Sequence, residues 1–423
     1  MKIAIIGAGV SGNTLGWQLA KEHDVTLFEA NSHVGGHTHT HQIEAFGKQY
    51  NIDTGFIVYN DWTYPHFIRL LDELGVETQS SHMSFSVRDE SSGLEYNGTS
   101  LNSLFAQRRN LFRPSFLGMI QDILRFNKEA PKLLDDTQAD MPFGEYLKLH
   151  RYRKNFIQHY VIPMGSAIWS ASPEQMFEFP AKFFIRFFHN HGMLSVSDRP
   201  EWRVIKGGSK AYVEKLTQGF KDNIRLNTPI ESVSRNLDSV VVKPKNQTAE
   251  LFDWVFFACH SDQALAMLAD ASNDEIAILG AIPYQNNQIV LHTDINLMPK
   301  KKLAWAAWNY HLTEQPLNLA AVTYNMNILQ SLDSPEPFLV TLNHTSKIDP
   351  KKIIKTLNYT HPVFTPQGVA AQLRHADISG VNRTGYAGAY WRNGFHEDGV
   401  ASALAALAHF NQAQSKLSAT YGK

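Results

Sequence analysis

The chain opens on an apolar run, Ile3 to Ile6, short, rich in β-branched residues and cut off by glycine. That pattern predicts a buried strand. From Thr14 to Lys21 the apolar positions fall at helical spacing, with Leu15 and Leu19 one turn apart on one face. A second strand is predicted over Val25 to Phe28, ending at Glu29. Beyond about Tyr59 helical patterns and aromatics dominate up to about Pro200. "WRVIKGGSKAYVEKL" (Trp202 to Leu216) reads as a Gly-Gly turn leading into a helix, and "IRLNTPIESVSRN" and "SVVVKPKNQTAELFDWVFFACH" as short strands. A second aromatic, β-rich block covers about Ile282 to Pro362. The closing "GYAGAYWRNGFHEDGVASALAALAHF" reads as a strand and loop feeding an alanine-rich helix.

The first strand, its glycine turn and the helix after it give a G-x-G-x-x-G motif the setting in which it carries meaning. Gly7 permits the tight turn, Gly9 lets a pyrophosphate approach the backbone, and Gly12 lets helix and strand pack closely. The unpaired amides and the dipole at the helix start suit a diphosphate without any lysine. Glu29, about 20 residues past Gly7, is placed to accept hydrogen bonds from an adenosine ribose. Dinucleotide binding follows.

Composition narrows the class. With 423 residues there is room for two intertwined domains, and a net charge of −1 supplies no field for nucleic acid. One cysteine, Cys259, rules out a disulfide framework or a cysteine-based metal site; at the end of "WVFFACH" it reads as buried and inert. No apolar stretch approaches the ~18 residues of a membrane span. The nucleotide strand begins at residue 2, which leaves no room for a cleaved signal peptide. The expected location is cytoplasmic, with at most a peripheral hold on the inner membrane face. No G-x-S-x-G elbow is present.

Taken together, the motifs resemble the FAD-dependent amine oxidase and desaturase superfamily, which includes protoporphyrinogen oxidases and phytoene desaturases. Through "DTGFIVYN", "FAQRRNLFRPSF", "FFHNHGMLSVSDRPEWRV", "GAIPYQ" and "YWRNGFHEDGV" the chain looks most like a bacterial subgroup of predicted NAD/FAD-binding proteins. Members of that subgroup are often encoded near enzymes that methylate or cyclopropanate acyl chains. The resemblance implies an α/β fold: a Rossmann-like FAD-binding domain (1–60, 200–270 and 363–423) interleaved with an α+β substrate domain (61–199 and 271–362). It implies FAD rather than NAD, because the Gly-Gly element and the C-terminal motif belong to flavoproteins.

Carried over by motif, Gly7, Gly9, Gly12 and Glu29 match the adenosine diphosphate site, and Gly35-Gly36 the glycine pair that passes along the cofactor. The family's next residue is usually arginine; here it is His37, a weaker anion partner when neutral. Gly55, Phe56 and Ile57 match the loop behind the flavin ring, and Val233 the residue whose main chain reads the adenine. Asp398, Gly399 and Val400 match the helix start at the flavin's pyrimidine end. Many relatives carry an acid after the glycine of the preceding strand, whereas Ala389 follows Gly388 here. His396 falls where relatives that oxidise amines place an aromatic facing the flavin. An imidazole of near-neutral pKa at that place can move a proton, so His396 is the catalytic candidate; the bland reading is that it shapes the pocket.

The resemblance implies an FAD-dependent oxidoreductase moving hydride from an apolar substrate to flavin. Desaturation of a methyl-branched or cyclopropane-type fatty acyl lipid is favoured, with an acyl-modifying methyltransferase as partner. An amine or porphyrinogen oxidase, and a non-catalytic flavin-binding partner of a lipid methyltransferase, are the alternatives.

Four further features bear on the chemistry. His33, His37, His39 and His41 either line the cofactor or active site, bind a metal, or are ordinary surface histidines. Phe183, Phe184, Phe187 and Phe188 share a helical face that is either core or the wall of a substrate channel. "RRNLFRPSFLGMIQDILRFNKEAPK" is either a buried amphipathic helix with a basic edge or a patch for anionic membranes. Trp305, Trp308, Tyr310 and Tyr324 are expected on strands of a substrate sheet, where aromatic pairs commonly pack.

Overall fold

The apolar runs at the start, middle and end of the chain come together in one five-stranded sheet. A computed structural model describes residues 1–136, 140–315 and 317–421. The sheet is all parallel, in the spatial order Ile224–Arg225, Asp24–Phe28, Lys2–Ile6, Trp254–Phe257, Thr384–Tyr386. Alternation along its strands explains its layers. Ile3, Ile5, Val25, Leu27 and Phe256 face Leu15, Leu19, Ala403 and Phe410 of the helices Val10–Leu19 and His396–Tyr421. Ala4, Ile6, Phe28, Val255 and Phe257 face the opposite layer, a three-stranded antiparallel sheet (Ile230–Arg235, Val240–Pro244, Glu250–Phe252) with two short helices. Both faces are covered, which is why these strands read as continuous apolar runs.

The first helix starts earlier than its apolar periodicity predicts, at Val10 rather than Thr14, with Gly9 as its N-cap. Its glycines Gly12 and Gly16 face the packed side: a Cβ on Gly12 would collide with the Gly7 carbonyl.

The second body is built on a seven-stranded sheet in the order Ile353–Pro362, Tyr284–His292, Leu339–Leu342, Val322–Asn325, Trp308–Leu312, Phe85–Asp89, Glu95–Asn97. Helices Pro114–Glu129, Phe143–Leu149, Ile162–Trp169 and Ala181–Asn190 join the largest core through Phe116, Phe126, Phe143 and Phe184. Trp308, Tyr310 and Tyr324 lie in its strands, whereas Trp305 follows a short 3-10 turn, Lys302–Ala304. Three strands, Thr78–Ser80, Phe85–Asp89 and Glu95–Asn97, interrupt the stretch where helical patterns dominate. Phe85–Asp89 runs parallel to Trp308–Leu312, and Glu95–Asn97 closes that edge. Among the described residues no helix is long and apolar enough to cross a membrane.

Candidate flavin site

The glycine turn is shaped by contacts a side chain would break at two positions and by open space at a third. Gly7 has φ +107°, and a Cβ there would come 2.8 Å from the Ala258 carbonyl oxygen. Gly9 has nothing within 4 Å of its missing Cβ. Gly36, at φ +59°, brings its own missing Cβ 3.1 Å from the Gly9 Cα, and the Gly35 amide donates to the Ala8 carbonyl at 2.8 Å. The two glycine segments thus stand side by side at the start of the helix Val10–Leu19.

Glu29 is buried at the end of its strand. Its carboxylate accepts from the Ala8 amide at 2.8 Å and from the Asn31 main-chain and side-chain nitrogens at 2.8 and 2.9 Å. It therefore holds the glycine loop in place. Val233 is fully buried with Phe28, Val242 and Leu268, and its carbonyl accepts from the Ala269 amide at 2.9 Å.

The C-terminal motif meets this loop directly. The Ser11 hydroxyl donates to the Gly399 carbonyl at 2.9 Å, and a Cβ on Gly399 would come 2.5 Å from Val10 Cγ1. Two helix N-termini, at Val10 and at His396, are thereby brought together, each with its first amides unpaired within its own helix. Asp398 accepts from the Phe395 and Asn393 amides at 2.9 and 3.2 Å, while burial pushes its carboxyl up to about 7. Glu397 accepts from the His66 and Phe67 amides at the start of the helix Pro65–Glu73. Gly388 donates its amide to Ser402 Oγ at 2.9 Å, and any side chain there would strike the Tyr390 ring.

Gly55 lies against the His37 carbonyl, too close for a side chain, and the Phe56 amide donates to that carbonyl at 2.8 Å. Phe56 and Ile57 are buried, and Val400 packs with Phe56 and Phe67. His396 lies flat on Phe56, centroids 3.5 Å apart at 15°. Its Nε2 is 2.9 Å from both Thr38 Oγ1 and Tyr212 Oη, which are 2.7 Å from each other. Burial drives its pKa well below 6.5. The near-neutral titration expected of it does not hold: the ring is neutral at pH 7.

A group of imidazoles separates the two bodies. His37 lies 6.3 Å from His260, 5.3 Å from His361 and 5.0 Å from the Tyr359 ring. Burial first, and their mutual repulsion second, lowers His37 and His260 to about 4 and His361 to about 3. Neutral His37 adds no full charge at the position usually held by arginine, which leaves an anion to the helix N-termini. His33, His39 and His41 form a stack, 4.0 Å and 4.1 Å between successive rings. Among the described residues no three histidine, cysteine or acidic groups are arranged to hold a metal. Burial pushes the Cys259 thiol up to about 12, in keeping with an inert role.

Sequence reasoning missed several residues here. Asp53 is buried with its carboxyl raised to about 6, and it takes the Ser209 amide and hydroxyl at the start of the helix Lys210–Thr217. The sequence signal was the "GGS" before that helix, an N-terminus in need of a cap. Thr38, Tyr212, His260 and His361 carry no local signal, because their neighbours come from other parts of the chain.

A flavin dinucleotide fits these residues. There is room at Gly9, two helix N-termini converge for anionic and carbonyl oxygens, and two buried polar atoms, Asn13 Oδ1 and His37 Nε2, have no protein partner.

The four phenylalanines divide between two surroundings. Phe184 and Phe188 are fully buried, with Phe184 stacked on Phe143 at 4.0 Å. Phe183, which is half-buried, and Phe187, which also belongs to the core, line a cleft of about 240 Å³ with Val369, Asn190, Asn393, Lys182, Arg186 and Asp140. Phe183 stacks on Phe364 and Phe187 on Phe395, each at 5.1 Å. Phe395 directly precedes His396. A line of rings therefore leads from the cleft to the C-terminal motif.

Comparison with known proteins agrees with this architecture. The family model described as flavin containing amine oxidoreductase matches residues 11–293. No curated protein matches in sequence. Cyclohexylamine oxidase from Brevibacterium oxydans superposes with a TM-score of 0.69 at 15% identity, over 98% of this chain and 99% of that one. The CLA-producing fatty acid isomerase from P. acnes gives 0.66 at 17%, over 96% and 98%. Putrescine oxidase bound to putrescine gives 0.65 at 14%, over 96% and 99%.

Proposed function

The chain belongs to the flavin containing amine oxidoreductase family, and we propose that this FAD-dependent oxidoreductase acts on the acyl chain of a lipid, removing two hydrogens to leave a double bond. The cleft carries the reading. Its walls are Phe183, Phe187 and Val369, its rim carries Lys182 and Arg186 against one acid, Asp140, and its ring path ends at Phe395 beside the C-terminal motif. Apolar walls with two cations against one acid at the rim suit a chain with an anionic head group. One structurally similar protein is itself a fatty acid isomerase.

Bound flavin supplies the two-electron acceptor. Gly7, Gly9, Gly12, Gly35 and Gly36 would hold the dinucleotide, and the helix starts at Val10 and His396 would offer it backbone amides. Phe183 and Phe187 orient the chain and keep water out. His396, neutral and shared between two hydroxyls, is the proton acceptor in this reading, with Thr38 and Tyr212 as relay.

Flavin-loaded protein, mixed without oxygen with straight and methyl-branched fatty acids and separately with alkyl amines, tests it. Acyl chains are expected to bleach the visible flavin absorbance and to lose two hydrogens by mass. Bleaching by amines alone, or no bleaching by any acyl chain, overturns the reading.

A further inference from the structure

Two segments far apart in the chain form one exposed basic and apolar surface outside the flavin site. In the first, "QRRNLFR", Phe112 is 85% exposed at the end of a 3-10 turn, Arg108–Phe112, with Leu111 beside it and Leu101 exposed on the preceding short helix. In the second, "PKKKL", Lys300, Lys301, Lys302 and Leu303 are all exposed.

Hydrogen bonds hold the two together. Arg109 and Gln107 both donate to the Gly93 carbonyl, at 3.0 and 2.8 Å. Two residues on, the Glu95 amide donates to Gln107, and its carboxylate accepts from the Lys300 and Lys301 amides at 2.8 and 2.9 Å. The turn Lys302–Ala304 packs on the short helix Leu101–Leu104.

Among the described residues no carboxylate pairs with Arg108, Arg109, Arg113 or the three lysines. Arg108 is held by the Asn102 and Phe105 carbonyls, Arg109 by that of Gly93, and Arg113 by the Asn110 side chain. All of these oxygens are neutral. The nearest acids look elsewhere: Glu95 is buried under the lysine amides, and Glu90 is turned to Arg88 and His311. Six cations and the exposed Leu101, Phe112 and Leu303 therefore lie on two segments tied to each other.

We propose that this surface docks the protein on an anionic lipid bilayer, with Phe112 and Leu303 entering the head-group region and the arginines and lysines on lipid phosphates. Aromatic and aliphatic tips framed by cations are the chemistry of an interfacial anchor. A second copy is the poorer occupant, since a two-fold contact through this patch sets cation against cation. The proposal stands independently of the substrate reading.

The test is co-sedimentation of the flavin-loaded protein with phosphatidylcholine vesicles containing about one-third phosphatidylglycerol, and with phosphatidylcholine alone. Binding is expected to the mixed vesicles only, and to weaken with added salt. Replacing all three lysines (K300Q, K301Q, K302Q) should lower the partition by roughly 100-fold, at about fivefold per charge. Phe112→Ser with Leu303→Ser should lower it too while leaving the melting temperature unchanged, because both side chains are exposed. Equal binding to neutral vesicles, no binding, or variants that bind like wild type overturns the proposal. So does size-exclusion showing a dimer that Phe112→Ser splits.

Discussion

The Ser11 hydroxyl donates to the Gly399 carbonyl at 2.9 Å, joining residues 388 positions apart in the chain. It fastens the start of the first helix to the start of the last, so the anion-attracting ends of both serve one site. Gly399 permits the contact, since any side chain there presses on Val10 and Ser11.

Gly9 and Gly12 should fail differently. Gly9→Val places its side chain in open space that a cofactor needs, so the protein should fold, melt like flavin-free wild type and be colourless. Gly12→Val drives a side chain into the Gly7 carbonyl and should abolish soluble folded protein. Visible absorbance and a melting curve separate the two.

Glu29→Ala removes three accepted hydrogen bonds, two of which restrain Asn31 and one the Ala8 amide. Hydrogen bonds to charged groups contribute about 1.5–3 kcal/mol each, so flavin affinity should drop by roughly tenfold or more. The flavin-free protein should also melt lower, because the carboxylate restrains the loop before any cofactor arrives. A titration followed by fluorescence and a melt of the flavin-free form check both.

Phe184→Ala empties a core position stacked on Phe143 and should cost about 3–5 kcal/mol. Phe183→Ala opens the cleft instead. Its expected signature is a shift toward longer or bulkier acyl chains with a smaller fall in melting temperature, read from chain-length profiles beside melts.

His396→Phe should keep fold and flavin, as Thr38 and Tyr212 remain bonded to each other. If the imidazole accepts the proton, flavin bleaching by a verified substrate slows by roughly 10²–10⁴, and His396→Gln fails nearly as badly. Unchanged rates in stopped flow for both variants would assign the ring to packing alone.

Acid should destabilise the protein through its half-buried, desolvated imidazoles. His37, His260 and His361 have folded pKa values of about 4, 4 and 3 against 6.5 when exposed. Between those values the unfolded chain binds protons that the native one does not, so stability is complete above pH 6.5 and falls as pH drops toward 4. Asp53 and Asp398, raised to about 6 and 7, lean the other way but are outnumbered. Thermal melts from pH 7 to 5 should descend, and His361→Asn should flatten the slope.

Much of this architecture was open to sequence reading, and the limit falls along chain separation. The strand, glycine turn and helix at residues 2–19, the acid at Glu29 and the Gly-Gly turn before Lys210 depend on neighbours within a few residues. Backbone sterics, alternation and the fixed steric tasks of glycine act at that range. The strand Phe85–Asp89 escaped because one of its two partners lies more than 200 residues on and the near one, Glu95–Asn97, is only three residues long. Phe183 and Phe184 look equivalent on a helical face, yet one meets Phe364 at a cleft and the other Phe143 in the core.

Titration behaviour shows the same division. The sequence by itself determined that histidines stand at 37, 260, 361 and 396, and that a glycine turn begins a dinucleotide fold. Only the tertiary structure decided that these imidazoles, three half-buried and His396 buried, share one desolvated junction and stay neutral. A side chain's desolvation is a property of what packs around it, and here the packing comes from opposite ends of the chain.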